Sequence, residues 1–254
     1  MGRLVVIEGL DGAGKRTLAD ALAGALAACG ARVARAAFPR YDTDVYGALV
    51  SDALHGRLGD LIESVYGMAV LFALDRRAAA DELRAALALS DVLLVDRYLA
   101  STAAYGAARL RQSGGGEFVG WVRALELERF GIPAPDLQLL LRVPREVAAE
   151  RAARREALDA ARTRDRYESD DELQRRCGEV YDQLAAADWV SPWRVLDGAA
   201  QPLVNGPVDG ADQPLVNGPM DGADQPPVNG PVDGADQLPV DVLAKDILSG
   251  GPLS

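Results

Sequence analysis

Histidine and cysteine are the residues this chain has least of, and their scarcity excludes several kinds of site. The 254 residues include one histidine, His55, and two cysteines, Cys29 and Cys177. A polyhistidine metal site, a zinc cluster or a disulfide framework would each need more of these residues. We therefore expect a reduced, cytoplasmic protein whose chemistry depends on other side chains.

Lysine is almost as scarce. Lys15 and Lys245 are the only lysines, so arginine supplies 25 of the 27 basic residues. The 38 acidic residues give a net charge of −11, which argues against a broad basic surface for nucleic acid. A single lysine in the first 244 residues draws attention to its own position.

Long apolar runs are also missing. The longest uncharged apolar run covers residues 21–31, whereas a membrane-spanning helix needs roughly 18–20 apolar residues. The opening sequence MGRLVVIEG reaches Glu8 too early for a signal peptide, and Val6 stands where a myristoylation site needs serine or threonine. We expect neither export nor membrane attachment.

Apolar segments that fit strands alternate with segments that fit helices. The pattern predicts strands at 3–8, 32–38, 92–96, 137–143 and 193–196. It predicts helices at 14–29, 45–57, 61–89, 117–130, 145–155, 170–187 and 240–248. This alternation is typical of an α/β fold with a five-stranded parallel sheet and helices on both faces.

A segment with a twelve-residue period interrupts this pattern. Residues 202–237 hold three full periods with seven of the 14 prolines, six aspartates and no basic residue. A solenoid or a calcium-binding array could give such a repeat, but the unit is too rich in proline and glycine to bury a core, and its spacing matches no known calcium loop. We expect a disordered insertion between two parts of one domain, residues 1–201 and 238–254.

The sequence GLDGAGKRT at 9–17 follows the first predicted strand and opens the first predicted helix. The pattern G-x-x-x-x-G-K in this context predicts a P-loop, in which backbone N–H groups and a helix N-terminus surround phosphate and lysine adds a mobile charge. A glycine-rich turn with an incidental lysine is the competing interpretation. Arg16 follows the lysine where serine or threonine usually holds Mg²⁺, so the ordinary magnesium ligand is not predicted. The predicted phosphate-binding residues are Gly9, Leu10, Asp11, Gly12, Ala13, Gly14, Lys15, Arg16 and Thr17, and the resemblance described below implies that the nucleotide they hold is ATP.

Asp96, Arg97 and Tyr98 end the third predicted strand. An acid at the carboxyl end of a central strand is where a Walker-B-like carboxylate lies beside bound phosphates, and an arginine after it can hold a second phosphate. A helix N-cap followed by a surface arginine is the alternative.

Arginines are concentrated at 151–166, between two predicted helices. In a phosphoryl-transfer enzyme such a segment can be a lid whose arginines neutralise developing charge and exclude water. A solvated helix face that pairs with nearby acidic residues is the alternative.

Together these segments resemble a known family. IEGLDGAGKRT (7–17), FPRY (38–41), LFALDR (71–76), DRYLASTAAY (96–105) and RDRYESDDELQ (164–174) are similar to the motifs of bacterial thymidylate kinases, in their actinobacterial form. The similarity runs from about residue 3 to 197 and resumes in the last helix. It implies the P-loop nucleoside monophosphate kinase fold, transfer of the ATP γ-phosphate to dTMP, use of Mg²⁺, and a homodimer.

The resemblance also implies where dTMP binds. Phe72 would stack on the thymine ring, Arg76 would hydrogen-bond the base, and Arg97 would bind the phosphate. Ser101 and Thr102 would lie near the base and phosphate. The implied substrate-binding residues are Asp11, Phe38, Pro39, Tyr41, Phe72, Arg76, Arg97, Ser101, Thr102, Tyr105, Asp165, Tyr167 and Glu168.

Further roles are implied for the sugar, the metal and the lid. Tyr105 would pack under the sugar, against a ribose 2′-OH, and Tyr167 and Glu168 would close the site. Asp11 and Glu168 would lie near the metal. Because Gly12 stands where some members of the family carry an arginine inside the P-loop, the catalytic arginines are assigned to the lid. The implied catalytic residues are Lys15, Asp96, Arg97, Arg155 and Arg162.

Other functions stay open at this point. A nucleoside monophosphate kinase with another pyrimidine acceptor would have the same P-loop. A GTP-binding switch would need an N-K-x-D motif, but no asparagine in the chain precedes a lysine. The repeat would also fit an interaction scaffold.

Overall fold

The central sheet has five parallel strands in the order β2-β3-β1-β4-β5. This computed structural model describes residues 1–41, 43–144, 147, 167, 170–198 and 240–250. The strands are β1 (Arg3–Glu8), β2 (Val33–Ala37), β3 (Val92–Asp96), β4 (Leu137–Arg142) and β5 (Trp193–Asp197). The predicted α/β fold with a five-stranded parallel sheet is therefore confirmed. The predicted helix at 145–155, apart from residue 147, lies outside the described residues, as do the lid and the repeat.

Helices connect the strands. In the described part of the chain they are α1 (Lys15–Ala28), α2 (Val45–Leu54), α3 (Val65–Leu89), α4 (Leu99–Arg109), α5 (Glu117–Arg123), α6 (Asp171–Ala186) and α7 (Val240–Ser249). A short 3₁₀ helix, Gly59–Glu63, precedes α3, where one continuous helix is predicted from residue 61. A π-helix, Ala124–Arg129, continues α5, where an unbroken α-helix is predicted.

Both faces of the sheet are covered, so the domain has three layers. Val5 and Ile7 of β1 face α1 and α7 in one core, which includes Leu22 and Ile247. Leu4 and Val6 face the other way, toward α3. Each fully buried aliphatic side chain contributes roughly 1.5–3 kcal/mol through the hydrophobic effect.

Helix α4 is not predicted from the sequence pattern. Its alanines, including Ala103, Ala104, Ala107 and Ala108, are fully buried, so the helix has no polar face to reveal its period. A Cβ added at Gly106 would lie 2.0 Å from the Phe118 ring. The small side chains therefore let α4 lie close to α5.

The carboxyl ends of all five strands lie at one edge of the sheet, because the strands are parallel. Ile7 pairs with Asp96, and Glu8 pairs with Leu140. The segments that follow β1, β2 and β3 therefore meet at this edge, where a doubly wound sheet binds its ligands. No helix among the described residues is both long and apolar enough to cross a membrane.

Candidate active site

The P-loop leaves β1 through glycines with positive φ angles. Gly9 has φ 145°, and a Cβ there would lie 2.6 Å from the carbonyl oxygen of Leu141, so only glycine fits. Gly12 and Gly14 have φ 78° and 99°. Gly14 is the N-cap of α1 and gives that helix no side-chain cap. A bound phosphate would therefore complete the N-terminus of α1.

Lys15 begins α1 and lies folded against the P-loop. Its side chain is buried, and Nζ donates to the carbonyl oxygens of Gly9 at 3.2 Å and Leu10 at 2.9 Å. Burial and the nearby Arg97 lower the pKa of Lys15 to about 8, against the pull of Asp11 and other acids. Because both acceptors are neutral, the ammonium group has no paired charge in these hydrogen bonds and is suited to meet a phosphate.

Asp11 and Arg97 form an ion pair between the P-loop and the end of β3. Tyr105 of α4 donates to Asp11 Oδ2 at 2.6 Å, and Gln174 of α6 donates to the same oxygen at 3.3 Å. Burial alone would raise the pKa of Asp11, but Arg97 and Lys15 lower it to about 2. Asp11 is therefore a carboxylate at neutral pH.

Arg97 adopts an uncommon backbone conformation with φ 63°. Its N–H donates to Ile7 O at 3.0 Å, and Nη1 donates to Ser101 Oγ at 3.1 Å. The guanidinium also lies 5.6 Å from the centre of the Tyr105 ring. Strained residues of this kind are concentrated at functional sites, where surrounding contacts hold them in place.

Glu8, which no sequence motif marks, holds the turn that carries Arg97. Glu8 is fully buried and accepts from Tyr98 N at 2.9 Å and Ser101 N at 3.2 Å. It also accepts from the hydroxyls of Ser101 at 2.7 Å and Tyr181 at 2.9 Å. Tyr98 is the N-cap of α4 and gives no side-chain cap, so the carboxylate of β1 caps this helix.

The environment of Glu8 perturbs its titration. Burial raises the pKa of Glu8, while the hydrogen bonds from Ser101 and Tyr98 and the charge of Arg97 oppose that rise. At the level of sequence Glu8 is only the last residue of a strand. Its partners lie 90 or more residues away, so no local pattern marks it.

Asp96, the predicted Walker-B-like acid, ends β3 beside these groups. Its Oδ1 is buried and has no hydrogen-bond partner among the described residues. Its charge raises the pKa of Lys15, which places the two side chains in one electrostatic environment.

The segment after β2 forms another wall of the site. Phe38 is buried, and the Phe38–Pro39 peptide bond is cis. Arg40 is buried with Asp75 of α3, which accepts from Arg40 Nε and from Arg40 N, each at 2.9 Å. This ion pair, which no sequence motif indicates, joins the segment after β2 to α3.

Phe72 and Arg76, the two residues that the resemblance implies for the base, lie one turn apart on α3. Phe72 is partly buried and packs against the same core as Tyr41. Arg76 is 2% exposed and contacts Glu126 and Thr102. No sequence motif marks Glu126 as part of the site.

Tyr167 lies at one side of the candidate active site. Its ring stacks on Tyr105 with centres 6.2 Å apart and an angle of 24°. Arg109 donates to the Tyr167 hydroxyl and lies 4.9 Å from the centre of its ring. Four predicted site residues, Arg155, Arg162, Asp165 and Glu168, lie outside the described residues.

Comparisons with known proteins find one family over most of the chain. A family model described as thymidylate kinase matches residues 7–192. The thymidylate kinase of Mycobacterium tuberculosis H37Rv is 49% identical over 199 residues, which cover 78% of this chain and 93% of that protein. The human thymidylate kinase is 33% identical over 152 residues, covering 60% of this chain and 66% of that one.

A solved structure of thymidylate kinase from Candida albicans has a similar fold. Its TM-score is 0.60 at 23% identity, and the match covers 80% of this chain and 86% of that one. At this identity the likeness concerns the fold alone.

Proposed function

This chain belongs to the thymidylate kinase family, and from that membership we infer that it transfers the γ-phosphate of ATP to dTMP, giving ADP and dTDP. The observation that carries the inference is the cluster of Lys15, Asp11 and Arg97 at the carboxyl edge of the sheet. One cation belongs to the P-loop, and the other lies at the end of β3. The cluster therefore has separate groups for a donor phosphate and an acceptor phosphate.

ATP would bind through the P-loop. Its phosphates would complete the N-terminus of α1, and Lys15 would leave the carbonyl oxygens of Gly9 and Leu10 to reach the β- and γ-phosphates. The pKa of Lys15 is about 8 in the chain without ATP. With the phosphates as its new partners, Lys15 would be fully protonated.

dTMP would bind between α3 and α4. Its phosphate would meet Arg97, whose position is held by Asp11 and Ser101. Its base would stack on Phe72 and bond to Arg76, with Phe38, Pro39 and Tyr41 as a wall. Ser101, Thr102, Tyr105 and Tyr167 would surround the rest of the nucleotide, with Asp165 and Glu168 closing the site.

Transfer needs little acid–base chemistry. A non-bridging oxygen of the dTMP phosphate, already ionised at neutral pH, attacks the γ-phosphorus, and the bond to the β–γ bridging oxygen breaks. Lys15 and Arg97 hold the two phosphates in line, and Arg155 and Arg162 of the lid would neutralise the charge that develops.

The donor set suits Mg²⁺. Asp11 is ionised at neutral pH, and Asp96 Oδ1 lacks a partner among the described residues, so both supply the hard oxygens that this ion prefers. Asp11 and Glu168 would hold the ion, with Asp96 close by. When bound with ATP, Mg²⁺ would neutralise phosphate charge.

A coupled ADP-release assay across nucleoside monophosphates tests this function. We expect the largest kcat/KM with dTMP, and we expect Lys15→Ala to lose turnover with every acceptor. Equal or faster turnover of dCMP, AMP or UMP would refute the thymidylate assignment and favour a kinase with another acceptor. Wild-type kinetics in Lys15→Ala would refute the role of the P-loop.

We also propose that residues 202–237 are an insertion into one kinase domain. Support comes from α7, where Leu243 and Ile247 share a core with Leu22 of α1. Arg194 of β5 also donates to Asp246 of α7 at 2.8 Å. The chain therefore returns to the same domain after the repeat.

The assembly and location follow the family. We propose a cytoplasmic homodimer that binds neither nucleic acid nor a membrane, in keeping with the net charge of −11. Light scattering of the purified chain would test the dimer by its mass.

A further inference from the structure

A buried hydroxyl group that belongs to no sequence motif lies behind Arg97. Tyr181 of α6 is 1% exposed, and its hydroxyl donates to Glu8 Oε2 at 2.9 Å. The hydroxyl of Ser101 donates to the same oxygen at 2.7 Å and lies 2.9 Å from the Tyr181 hydroxyl. Arg97 Nη1 in turn donates to Ser101 Oγ at 3.1 Å. Tyr181, Glu8, Ser101 and Arg97 therefore form one hydrogen-bonded set, the Arg97 network.

The hydrogens of this network have a fixed direction. Burial and the charge of Glu8 raise the pKa of Tyr181 well above its ordinary value, so its hydroxyl stays a donor. A hydroxyl has a single hydrogen, and Ser101 gives its hydrogen to Glu8. Ser101 can therefore accept from Arg97 but has no hydrogen left for a phosphate oxygen. Any effect of Ser101 on a phosphate is exerted through Arg97.

Helix α6 supports both ends of the Arg97 guanidinium. Gln174 donates to Asp11 Oδ2 at 3.3 Å, and Asp11 pairs with Arg97 Nη2. Tyr181, seven residues later on the same helix, donates to Glu8, through which the network reaches Nη1. One helix thus holds the groups on either side of the guanidinium.

The residue that the network holds has a rare backbone conformation. Arg97 has φ 63°, in the left-handed region that few residues other than glycine adopt. A buried polar network gains little stability over apolar packing, but a fully satisfied one specifies a single arrangement. Orientation of Arg97 gives a reason for placing two hydroxyls and a carboxylate in a core.

We propose that Tyr181 and Ser101 are positioning residues which, through Glu8, orient Arg97 for the phosphate of the acceptor nucleotide. This inference rests on the proposed function, because it assumes that the acceptor phosphate lies at Arg97. A guanidinium that is held in place before binding loses less freedom when the phosphate arrives, which raises the affinity for the phosphate. The base and the sugar do not contact the guanidinium in this proposal, so their binding should not depend on the network.

Calorimetry with dTMP and with thymidine measures the contribution of the phosphate, as the ratio of the Kd for thymidine to the Kd for dTMP. We expect Tyr181→Phe to lower this ratio about threefold and Ser101→Ala to lower it about tenfold. Both changes should come from weaker binding of dTMP, with the Kd for thymidine unaltered. A role in stability alone would not separate the two ligands.

Ser90→Ala and Tyr66→Phe are the matched controls. Ser90 is 6% exposed and donates to Ala86 O at 2.7 Å, and it lies before β3, at the opposite edge of the sheet from Arg97. Its substitution removes the same buried hydroxyl as Ser101→Ala does. Tyr66 is 40% exposed, and Tyr66→Phe removes the same atom as Tyr181→Phe does. Neither control should change the ratio.

A double-mutant cycle shows whether the effect passes through Arg97. In the Arg97→Ala background, Tyr181→Phe and Ser101→Ala should have no further effect on the ratio, because the group that they orient is gone. Equal losses with and without Arg97 would overturn the inference. If Ser101→Ala does not fold, as judged by its melting curve, Tyr181→Phe against Tyr66→Phe decides the question.

Binding and transfer together separate this inference from the proposed function. A chain that binds dTMP more tightly than thymidine, loses that preference in Ser101→Ala, but transfers no phosphate would support the inference and refute the function. A chain that phosphorylates dTMP, with a ratio unchanged in both Tyr181→Phe and Ser101→Ala, would overturn the inference and leave the function standing.

Discussion

The P-loop lysine should take up a proton when ATP binds above neutral pH. Burial and Arg97 lower the pKa of Lys15 from 10.5 to about 8 in the chain without ATP. That fall corresponds to roughly 3 kcal/mol against the charged form. A triphosphate beside Nζ supplies the missing counter-charge and should return the pKa toward its ordinary value.

The magnitude follows from these two states. At pH 8 about half of the free chains carry a neutral Lys15, so ATP binding should take up ~0.5 proton, rising to ~0.9 at pH 9. The Kd for ATP should accordingly weaken about tenfold between pH 7 and pH 9. The phosphates of ATP contribute little, because their last pKa lies near 6.

A higher pH weakens ATP binding through Lys15, but through the same residue it should stabilise the folded chain without ATP. Between pH 8 and 10.5 the folded chain without ATP binds fewer protons at Lys15 than the unfolded chain does. The contribution of Lys15 to the free energy of unfolding should therefore increase as the pH rises from 8 to 10.5.

Titration calorimetry in two buffers of different ionisation enthalpy measures the proton uptake directly. Lys15→Arg is the control, because arginine stays charged throughout this range and should show neither the uptake nor the weakening of Kd. A wild-type chain with no uptake at pH 9, or with the same uptake as Lys15→Arg, would refute the reasoning.

Three further predictions concern the rest of the site. Glu8→Ala should lower the free energy of unfolding by about 3–5 kcal/mol, because it leaves two N–H groups and two hydroxyls without their acceptor, whereas Tyr181→Phe should cost about 1 kcal/mol. Denaturant melts would contradict this if Glu8→Ala were as stable as Tyr181→Phe. Arg97→Ala should lower kcat/KM for dTMP about 100-fold with little change in the KM for ATP, and wild-type steady-state kinetics would overturn the assignment of Arg97. Deletion of residues 202–237 should leave ADP release unchanged, and lost activity would mean that the repeat is not a passive insertion.

The sheet could be predicted from the sequence because its strands are short apolar runs with clear ends. The predicted bounds of β1 and β3 agree with the structure, since Glu8 and Asp96 end runs of buried aliphatic residues. The P-loop was equally visible, because its function requires a fixed glycine spacing next to a strand and a helix.

The sequence pattern does not predict helix α4 because the contacts that stabilise this helix come from residues distant in the chain. Every side from Leu99 to Ala108 meets other elements except at Ser101, so there is no polar face. The residue that caps the N-terminus of α4 is Glu8, which belongs to β1. Small residues fit a helix only in the context of what packs against them, here the ring of Phe118 on α5.

The groups that hold the site residues were missed for a related reason. The resemblance implies a base-binding role for Arg76, but Glu126, the partner of Arg76, lies 50 residues along the chain in what the pattern predicts as an ordinary helix. Asp75 pairs with Arg40 across 35 residues. Sequence motifs contain the groups that contact ligands, whereas the residues that orient them depend on the tertiary fold.

Transfer of a labelled phosphate tests the central claim most directly. The chain would be incubated with dTMP and ATP labelled at the γ-phosphate, and the nucleotides separated by chromatography. We predict that the label appears as the β-phosphate of dTDP, with one dTDP formed for each ADP. Label released as inorganic phosphate in place of dTDP, or transferred faster to dCMP than to dTMP, would contradict the account.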